Sequence, residues 1–305
     1  GSLDIGHGAG GHASNTAVGQ NALDASDASS THNVAIGNEA LGAFNSATDH
    51  YNTAVGSSAL TATTAGSNCT AVGYGSLAGA CSDDNTAVGK HALLAFTGSN
   101  ATAVGSGAAD AATSASSLTA IGCNALGAIT DSSDCTAVGY QALQAITTGS
   151  NQNTALGVNA GLSVGGGGVA TANTFVGHHA GLYADTVLHS IGIGASALAG
   201  VASPKVTGDY NVAVGNNSLD AVTSAAANVA IGYNSLTSLL TGTGNTVVGN
   251  DAGFATTGTY NVLMGYQAGY YGSSTDDCIA IGRNALLGSS GATTGDNNIA
   301  IGTRT

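Results

Sequence analysis

The sequence predicts an all-β fold, a parallel β-solenoid that extends as one domain over residues 1–305. Three observations support this prediction. A short glycine-anchored unit recurs eighteen times, most copies are 16 to 18 residues apart, and small residues dominate the composition. Such spacings are too short for helix-turn-helix repeats or propeller blades. Each copy is therefore expected to be one coil of strand and turns.

The repeat unit has the pattern Asn-Thr-Ala-Val-Gly-x-x-Ala-Leu, seen in Asn15 to Leu23, Asn52 to Leu60 and Asn85 to Leu93. We name its positions from the repeat glycine. The ladder, threonine, alanine and aliphatic positions precede it in that order, and the leucine position lies four residues after it. The repeat glycines are Gly6, Gly19, Gly37, Gly56, Gly73, Gly89, Gly105, Gly122, Gly139, Gly157, Gly177, Gly194, Gly215, Gly232, Gly249, Gly265, Gly282 and Gly302.

The composition excludes several classes of protein. Charged residues make up 7% of the chain and aromatic residues 5%, yet 43% of residues are hydrophobic, so small apolar side chains must form an ordered core. The net charge of −13, with only four scattered cations, argues against binding to nucleic acid or to anionic membrane. The longest apolar run, Ala92 to Phe96, is too short for membrane insertion as a helix.

Successive residues of a strand point to opposite faces, so each position of the repeat can be assigned to one face. We expect the aliphatic position, for example Val18, Ile36 and Met264, to point into the coil and form the core. We expect the alanine position to form a second apolar face, because Ala permits close approach of another backbone. A neighbouring subunit would cover that face.

The remaining positions also have predicted roles. The repeat glycine is expected at a corner with positive φ or close backbone approach, and the leucine position supplies a second inward column. Polar segments such as Thr61 to Asn68 are expected to be turns. Stacked amides at the ladder position would hydrogen-bond one another. The asparagines there are Asn15, Asn33, Asn52, Asn85, Asn153, Asn173, Asn211, Asn228, Asn245, Asn261 and Asn298.

Asn33 to Gly37, Asn228 to Gly232 and Asn298 to Gly302 resemble the head repeat of YadA-like trimeric autotransporter adhesins. Cys135 to Leu143 is similar to repeats in the tail fibres of phages and other viruses, with Cys in place of Asn. The resemblance implies a left-handed β-roll, assembly as a homotrimer and a place on a cell surface or virion. The chain departs from the adhesins in its longer coils and in lacking their neck, stalk and anchor sequences.

Few residues are candidates for a chemical site. Cys69 with Cys81 and Cys123 with Cys135 share a separation of twelve residues, which suggests disulfides. Cys69, Cys135 and Cys278 occupy the ladder position, which suggests buried free thiols, and we favour this interpretation. His178 and His179, Asp83 and Asp84, and Asp276 and Asp277 lack metal-ligand spacing and are interpreted as surface residues. The glycines at 165–168 open no phosphate-binding motif. We predict no catalytic residues, no metal and no cofactor.

The predicted function is a structural fibre or adhesin shaft that attaches a virus or bacterium to a host receptor, glycan or surface. Eighteen coils would form a rod of roughly 80 to 85 Å. The chain has no recognisable caps, so an alternative is a subunit that polymerises end to end into an extracellular filament. A third hypothesis, an ice- or glycan-binding solenoid, depends on Thr16, Thr53, Thr70, Thr86, Thr102, Thr119 and Thr136. The longer loops after Gly157 and Gly194, with Pro204 beside Lys205, are interpreted as tolerated insertions, with recognition loops as the alternative.

Overall fold

A computed structural model describes residues 5–26, 30–46, 50–289 and 295–305, and these residues form β-strands and turns without a helix. The chain divides into two compact units, residues 1–149 and 150–305. Each unit is a parallel β-solenoid with one short strand in every coil, which confirms the predicted fold class. The extension of one continuous domain over residues 1–305 stays a prediction.

Nearly every strand spans three residues, the threonine, alanine and aliphatic positions. The strands of the first unit are β1 Ile5–Gly6, β2 Thr16–Val18, β3 Val34–Ile36, β4 Thr53–Val55, β5 Thr70–Val72, β6 Thr86–Val88, β7 Thr102–Val104, β8 Thr119–Ile121 and β9 Thr136–Val138. Those of the second unit are β10 Thr154–Leu156, β11 Thr174–Val176, β12 Ile191–Ile193, β13 Val212–Val214, β14 Val229–Ile231, β15 Thr246–Val248, β16 Val262–Met264, β17 Ile279–Ile281 and β18 Ile299–Ile301.

The strands stack in exact repeat register within each unit. In the first unit Ala71 of β5 lies opposite Ala87 of β6, and in the second Ala213 of β13 lies opposite Ala230 of β14. Parallel pairing with a constant offset places each repeat position above the same position of the preceding coil. The columns inferred from the sequence are therefore real columns in the structure.

The first copy departs from this stacking. Strand β1 pairs with β2 in the antiparallel direction, with Ile5 opposite Val18 and Gly6 opposite Ala17. Gly6 also lacks the positive φ that the other repeat glycines share. The copy at Gly6 was predicted to be the first of eighteen parallel coils, and that part of the prediction is wrong. Residues 1–4, which precede it, lie outside the described residues.

The predicted orientation of the strand faces is wrong. The alanine position points into the coil, where Ala35, Ala71 and Ala230 are completely buried. The aliphatic position points outward, and Ile121 and Ile231 are each 39% exposed. Alternation permits either assignment, and the narrow interior decides between them because it accommodates a methyl group at this position in most coils. The Ala column is therefore covered within the coil and needs no neighbouring subunit.

Exceptions to alanine show how tightly the interior is filled. Phe175 occupies the alanine position of β11, and the leucine position of the same coil is Gly181, where an added Cβ would clash with the Phe175 ring. The next alanine position is Gly192, also beside that ring. In the same way Leu263 faces Gly269, whose Cβ would lie 2.8 Å from Leu263 Cδ1. The alanine and leucine positions thus share one volume, and a large residue at one is matched by glycine at the other.

The repeat glycine is confirmed as a corner that only glycine tolerates. Gly73 has φ of +132°, and a Cβ on it would lie 2.6 Å from the carbonyl oxygen of Gly89 in the next coil. Both the backbone angle and the stacking distance exclude a side chain. The leucine position is confirmed as a second inward column: Leu60 and Leu93 are fully buried, although with left-handed φ of 53° and 51°.

Candidate functional site: the outer strand face

The threonine and aliphatic positions together form a surface that we call the outer strand face. It comprises two outward columns in each unit. In the first unit these are Thr16, Val34, Thr53, Thr70, Thr86, Thr102, Thr119 and Thr136, with Val18, Ile36, Val55, Val72, Val88, Val104, Ile121 and Val138. In the second unit they are Thr154, Thr174, Ile191, Val212, Val229, Thr246, Val262, Ile279 and Ile299, with Leu156, Val176, Ile193, Val214, Ile231, Val248, Met264, Ile281 and Ile301.

The outer strand face is uncharged and, apart from its threonine hydroxyl groups, apolar, yet it is accessible to solvent. Leu156 is 49% exposed, Met264 is 41% exposed and Ile193 is 40% exposed. These side chains are held at fixed spacing because the strands beneath them pair in register. Contiguous apolar patches on soluble proteins mark interaction sites. The face is therefore the strongest candidate for the functional surface.

The two units differ in the chemistry of this face. In the first unit seven of eight threonine positions carry Thr, so methyl and hydroxyl groups alternate with Val and Ile. In the second unit only Thr154, Thr174 and Thr246 remain, and Val or Ile occupies the other six threonine positions. The face is amphipathic in the first unit and almost wholly aliphatic in the second.

Aromatic side chains flank the outer strand face. Tyr74 and Tyr140 in the first unit and Tyr233 and Tyr266 in the second directly follow a repeat glycine, and they are 48% to 55% exposed. On the opposite margin, next to the ladder position, His189 stacks on Tyr210 with ring centroids 5.5 Å apart. Aromatic rings with polar tips are enriched at protein interfaces.

The predicted asparagine ladder lies behind the face, inside the coil. In the second unit the main-chain N–H of Asn228, Asn245 and Asn261 each donates to Oδ1 of the preceding asparagine, at 2.9 to 3.1 Å. The Nδ2 group of Asn245 donates to Asn228 Oδ1 at 2.9 Å and to the Gly258 carbonyl at 3.0 Å. Each amide therefore ties its own coil to the coils on both sides and fixes the register of the face.

The ladder is interrupted in the first unit. Asn33 N–H donates to Asn15 Oδ1 at 2.9 Å, but the ladder positions of β7 and β8 are Ala101 and Leu118. At β5 the position is Cys69, whose thiol donates to the Ser82 carbonyl at 3.3 Å, as an asparagine amide does elsewhere. The second unit holds the longer run of amides.

The structure brings one of the two predicted cysteine pairs together. Cys69 and Cys81 are both buried, and their Sγ atoms are 3.8 Å apart without a disulfide bond. Cys135 is buried at a ladder position, which precedes a strand, whereas Cys123 is exposed directly after the repeat glycine Gly122. The two positions lie at opposite ends of a strand. The structure therefore does not bring Cys123 and Cys135 together.

The remaining sequence candidates are surface residues. His178 and His179 stack on each other at 3.7 Å, and burial and the neighbouring His178 charge lower the pKa of His179. Asp83 and Asp276 accept hydrogen bonds from main-chain N–H groups of Ser67 and Thr259, both at 2.7 Å. In the described part of the chain, no three His, Cys, Asp or Glu side chains are grouped to bind a metal ion.

The two candidate recognition loops meet at Asp185. Its carboxylate accepts a hydrogen bond from Gly167 N–H at 2.7 Å and lies 3.8 Å from Lys205 Nζ. Gly167 belongs to the loop after Gly157 and Lys205 to the loop after Gly194. Sequence reasoning named both loops and missed the carboxylate that joins them, because Asp185 lies in the coil between them.

The chain matches no protein-family model and no curated protein. Within residues 5–26, 30–46, 50–289 and 295–305, no helix has the length and apolar character needed to span a bilayer.

Proposed function

We propose that this chain is a structural subunit of an extracellular attachment fibre, in which copies of the chain associate through the outer strand face. The observation that carries the proposal is the uncharged, exposed and regularly spaced aliphatic surface. The face of one chain matches the face of a second copy of the chain, because both present side chains at the same strand spacing. The resemblance to trimeric adhesins and tail fibres favours a homotrimer on a cell surface or virion.

The size of the face agrees with self-association. With strand spacing of about 4.8 Å and about 3.3 Å per residue, eight three-residue strands cover about 380 Å² and nine cover about 430 Å². Each area is about half of the roughly 800 Å² that a standard interface buries on each partner, so we propose that the faces of both units are covered in the assembly. A polar rim with exposed tyrosines is also typical of such interfaces.

The experiment is light scattering coupled to size-exclusion chromatography on the full chain. We expect about three times the chain mass of 29.0 kDa. The double variant Ile231→Lys with Met264→Lys places two cations on the face and is expected to dissociate the assembly. The control Thr241→Lys adds a cation at an exposed turn and leaves the mass unchanged. A wild-type monomer at all concentrations would contradict the proposal.

An end-to-end filament makes a different prediction in the same experiment. Assembly through coil ends would be insensitive to lysines on the outer strand face. Electron microscopy of the double variant would then show filaments as long as those of the wild-type chain.

A second candidate function, binding to ice or to a glycan, is favoured by the amphipathic face of the first unit. The threonine and aliphatic positions lie on one strand face, which the sequence analysis expected to point into the coil, and the structure places both outward. Replacement of Thr102, which is exposed, by Tyr would disrupt the regular hydroxyl column. Thermal-hysteresis activity, or binding on a glycan array, that the wild-type chain shows and Thr102→Tyr loses would establish this function.

A further inference from the structure

We propose that Cys69 and Cys81 form a redox-responsive disulfide in the first unit, with Cys81 as the attacking thiol and Cys69 as the resolving thiol. The oxidant is a low-molecular-weight disulfide. The proposal is independent of the proposed fibre function, because it depends on contacts within one unit.

The geometry of the pair supports bond formation. The Sγ atoms are 3.8 Å apart, in contact, and a disulfide requires about 2.05 Å, so bond formation needs the two sulfurs to approach by about 1.8 Å. Cys69 precedes β5 and Cys81 lies in the turn before β6, so the bond would close one coil. It would do so at a ladder position that lacks an amide.

The two thiols are not equivalent. Thr63 Oγ1 lies 3.1 Å from Cys81 Sγ, and the Cys69 thiol contacts the same sulfur. Hydrogen bonding by Cys69 and then by Thr63 lowers the pKa of Cys81, whereas the pKa of Cys69 is raised by its hydrogen bond to Cys81 and by burial. The thiolate is the nucleophile in thiol–disulfide exchange, so Cys81 reacts first.

Access to the pair is also one-sided. An open groove of about 370 Å³ is lined by Cys81 together with Thr64, Gly66, Ala80 and Asp83, and Cys69 is absent from its lining. The groove therefore reaches Cys81, which is 5% exposed, and not Cys69, which is completely buried. The groove also provides room for the mixed disulfide that forms between Cys81 and half of the reagent.

The reaction balances in two exchanges. The Cys81 thiolate attacks one sulfur of the reagent and releases its other half as a thiolate, which takes up the proton that Cys81 has lost. The Cys69 sulfur then attacks Cys81 Sγ and displaces the second half, which receives the Cys69 proton. One reagent disulfide is reduced to two thiols while the two cysteines are oxidised to one disulfide.

The test treats the full chain, in a Cys123→Ser background that removes the exposed thiol, with oxidised glutathione under native conditions. Intact mass is expected to fall by two hydrogen atoms without a glutathione adduct. Chymotryptic cleavage after Tyr74 and Leu77 then leaves peptides of Cys69 and Cys81 joined until reductant is added. Closing this loop should raise the folding equilibrium constant about 100-fold, measured by urea unfolding.

Single variants test the order of attack. Cys69→Ala is expected to accumulate a stable glutathione adduct at Cys81, whereas Cys81→Ala is expected to remain unmodified at Cys69. Cys278→Ala changes an equivalent ladder cysteine without altering the reaction and controls for folding. A persistent adduct in the Cys123→Ser parent chain, equal adducts in both variants, or no reaction of the folded chain would each overturn the proposal.

Discussion

Replacing Asn245 by alanine tests the asparagine ladder at a member that is hydrogen-bonded to asparagines of the preceding and the following coil. Asn245 is fully buried in the second unit. Its Oδ1 accepts from Asn261 N–H at 2.9 Å and from Asn261 Nδ2 at 3.0 Å. Its Nδ2 donates to the Gly258 carbonyl at 3.0 Å. Its Nδ2 also donates to Asn228 Oδ1 of the preceding coil at 2.9 Å, so the substitution removes partners in both neighbouring coils at once.

The magnitude follows from the groups that lose this amide. The Asn261 N–H and the Gly258 carbonyl each lose their hydrogen bond to the Asn245 side chain. A buried polar group that loses its partner lowers the free energy of unfolding by about 1–3 kcal/mol. We expect Asn245→Ala to lower the free energy of unfolding by about 2–6 kcal/mol. The control is Asn250→Ala, which removes an exposed amide of the same coil and should cost less than about 0.5 kcal/mol.

Urea unfolding followed by circular dichroism, at one protein concentration for all variants, measures both changes. Equal urea midpoints for the Asn245 and Asn250 variants would refute the reasoning, because they would show that the ladder amides contribute no more than solvated ones.

Three further predictions concern the interior, the corners and one carboxyl group. Gly73→Ala should destabilise the chain by several times the effect of Gly6→Ala in urea unfolding, since only the former Cβ clashes with a neighbouring coil, and similar midpoints would contradict this. Gly181→Leu should lower the free energy of unfolding by about 1–3 kcal/mol through overpacking against Phe175. Adding Phe175→Ala should restore most of this loss, and additive effects of the two substitutions in a double-mutant cycle would contradict the prediction. Burial raises the pKa of Asp220 to about 6, above its value in the unfolded chain, so the ionised folded form is penalised as pH rises from about 4 through 6. Asp220→Asn should stabilise the chain in thermal melts at pH 7 and have no effect below pH 4, and an opposite pH dependence would exclude this assignment.

Much of the fold could be predicted because the repeat encodes backbone constraints directly. The recurring glycine corresponds to a corner where Gly73 has φ of +132°, and the recurring Leu to buried residues such as Leu93. The stacking of coils follows from the period itself. The antiparallel pairing of β1 was missed because the copy at Gly6 was identified by its aliphatic residue and glycine alone, although Ser2 and Asp4 stand at its ladder and alanine positions.

The aliphatic position was assigned to the wrong side of the strand because alternation along three residues does not say which side is inside. Hydrophobicity favoured the aliphatic position as core, whereas the narrow coil admits alanine. The sequence held a signal that decides the question. Phe175 and Leu263 at alanine positions occur in the coils where Gly181 and Gly269 replace leucine, which indicates that these two positions pack together.

The proximity of Cys69 and Cys81 was predicted from their separation, but the same separation also suggested Cys123 with Cys135. The difference lies in the phase of each pair relative to the repeat. Cys69 has the ladder phase and Cys81 lies in the following turn, whereas Cys123 immediately follows a repeat glycine. Spacing alone cannot separate these cases, and alignment to the repeat can.

Distances between spin labels placed a known number of coils apart test the stacked solenoid most directly. In a chain without native cysteines, cysteines at Asn38 and Ser106 or at Asn38 and Tyr140 lie after repeat glycines of the first unit and are exposed. Pulsed electron paramagnetic resonance on labelled chain diluted with unlabelled chain should give about 19 Å across four coils and about 29 Å across six. Distances that do not increase with the number of intervening coils would contradict the parallel stacking on which the proposed surface depends.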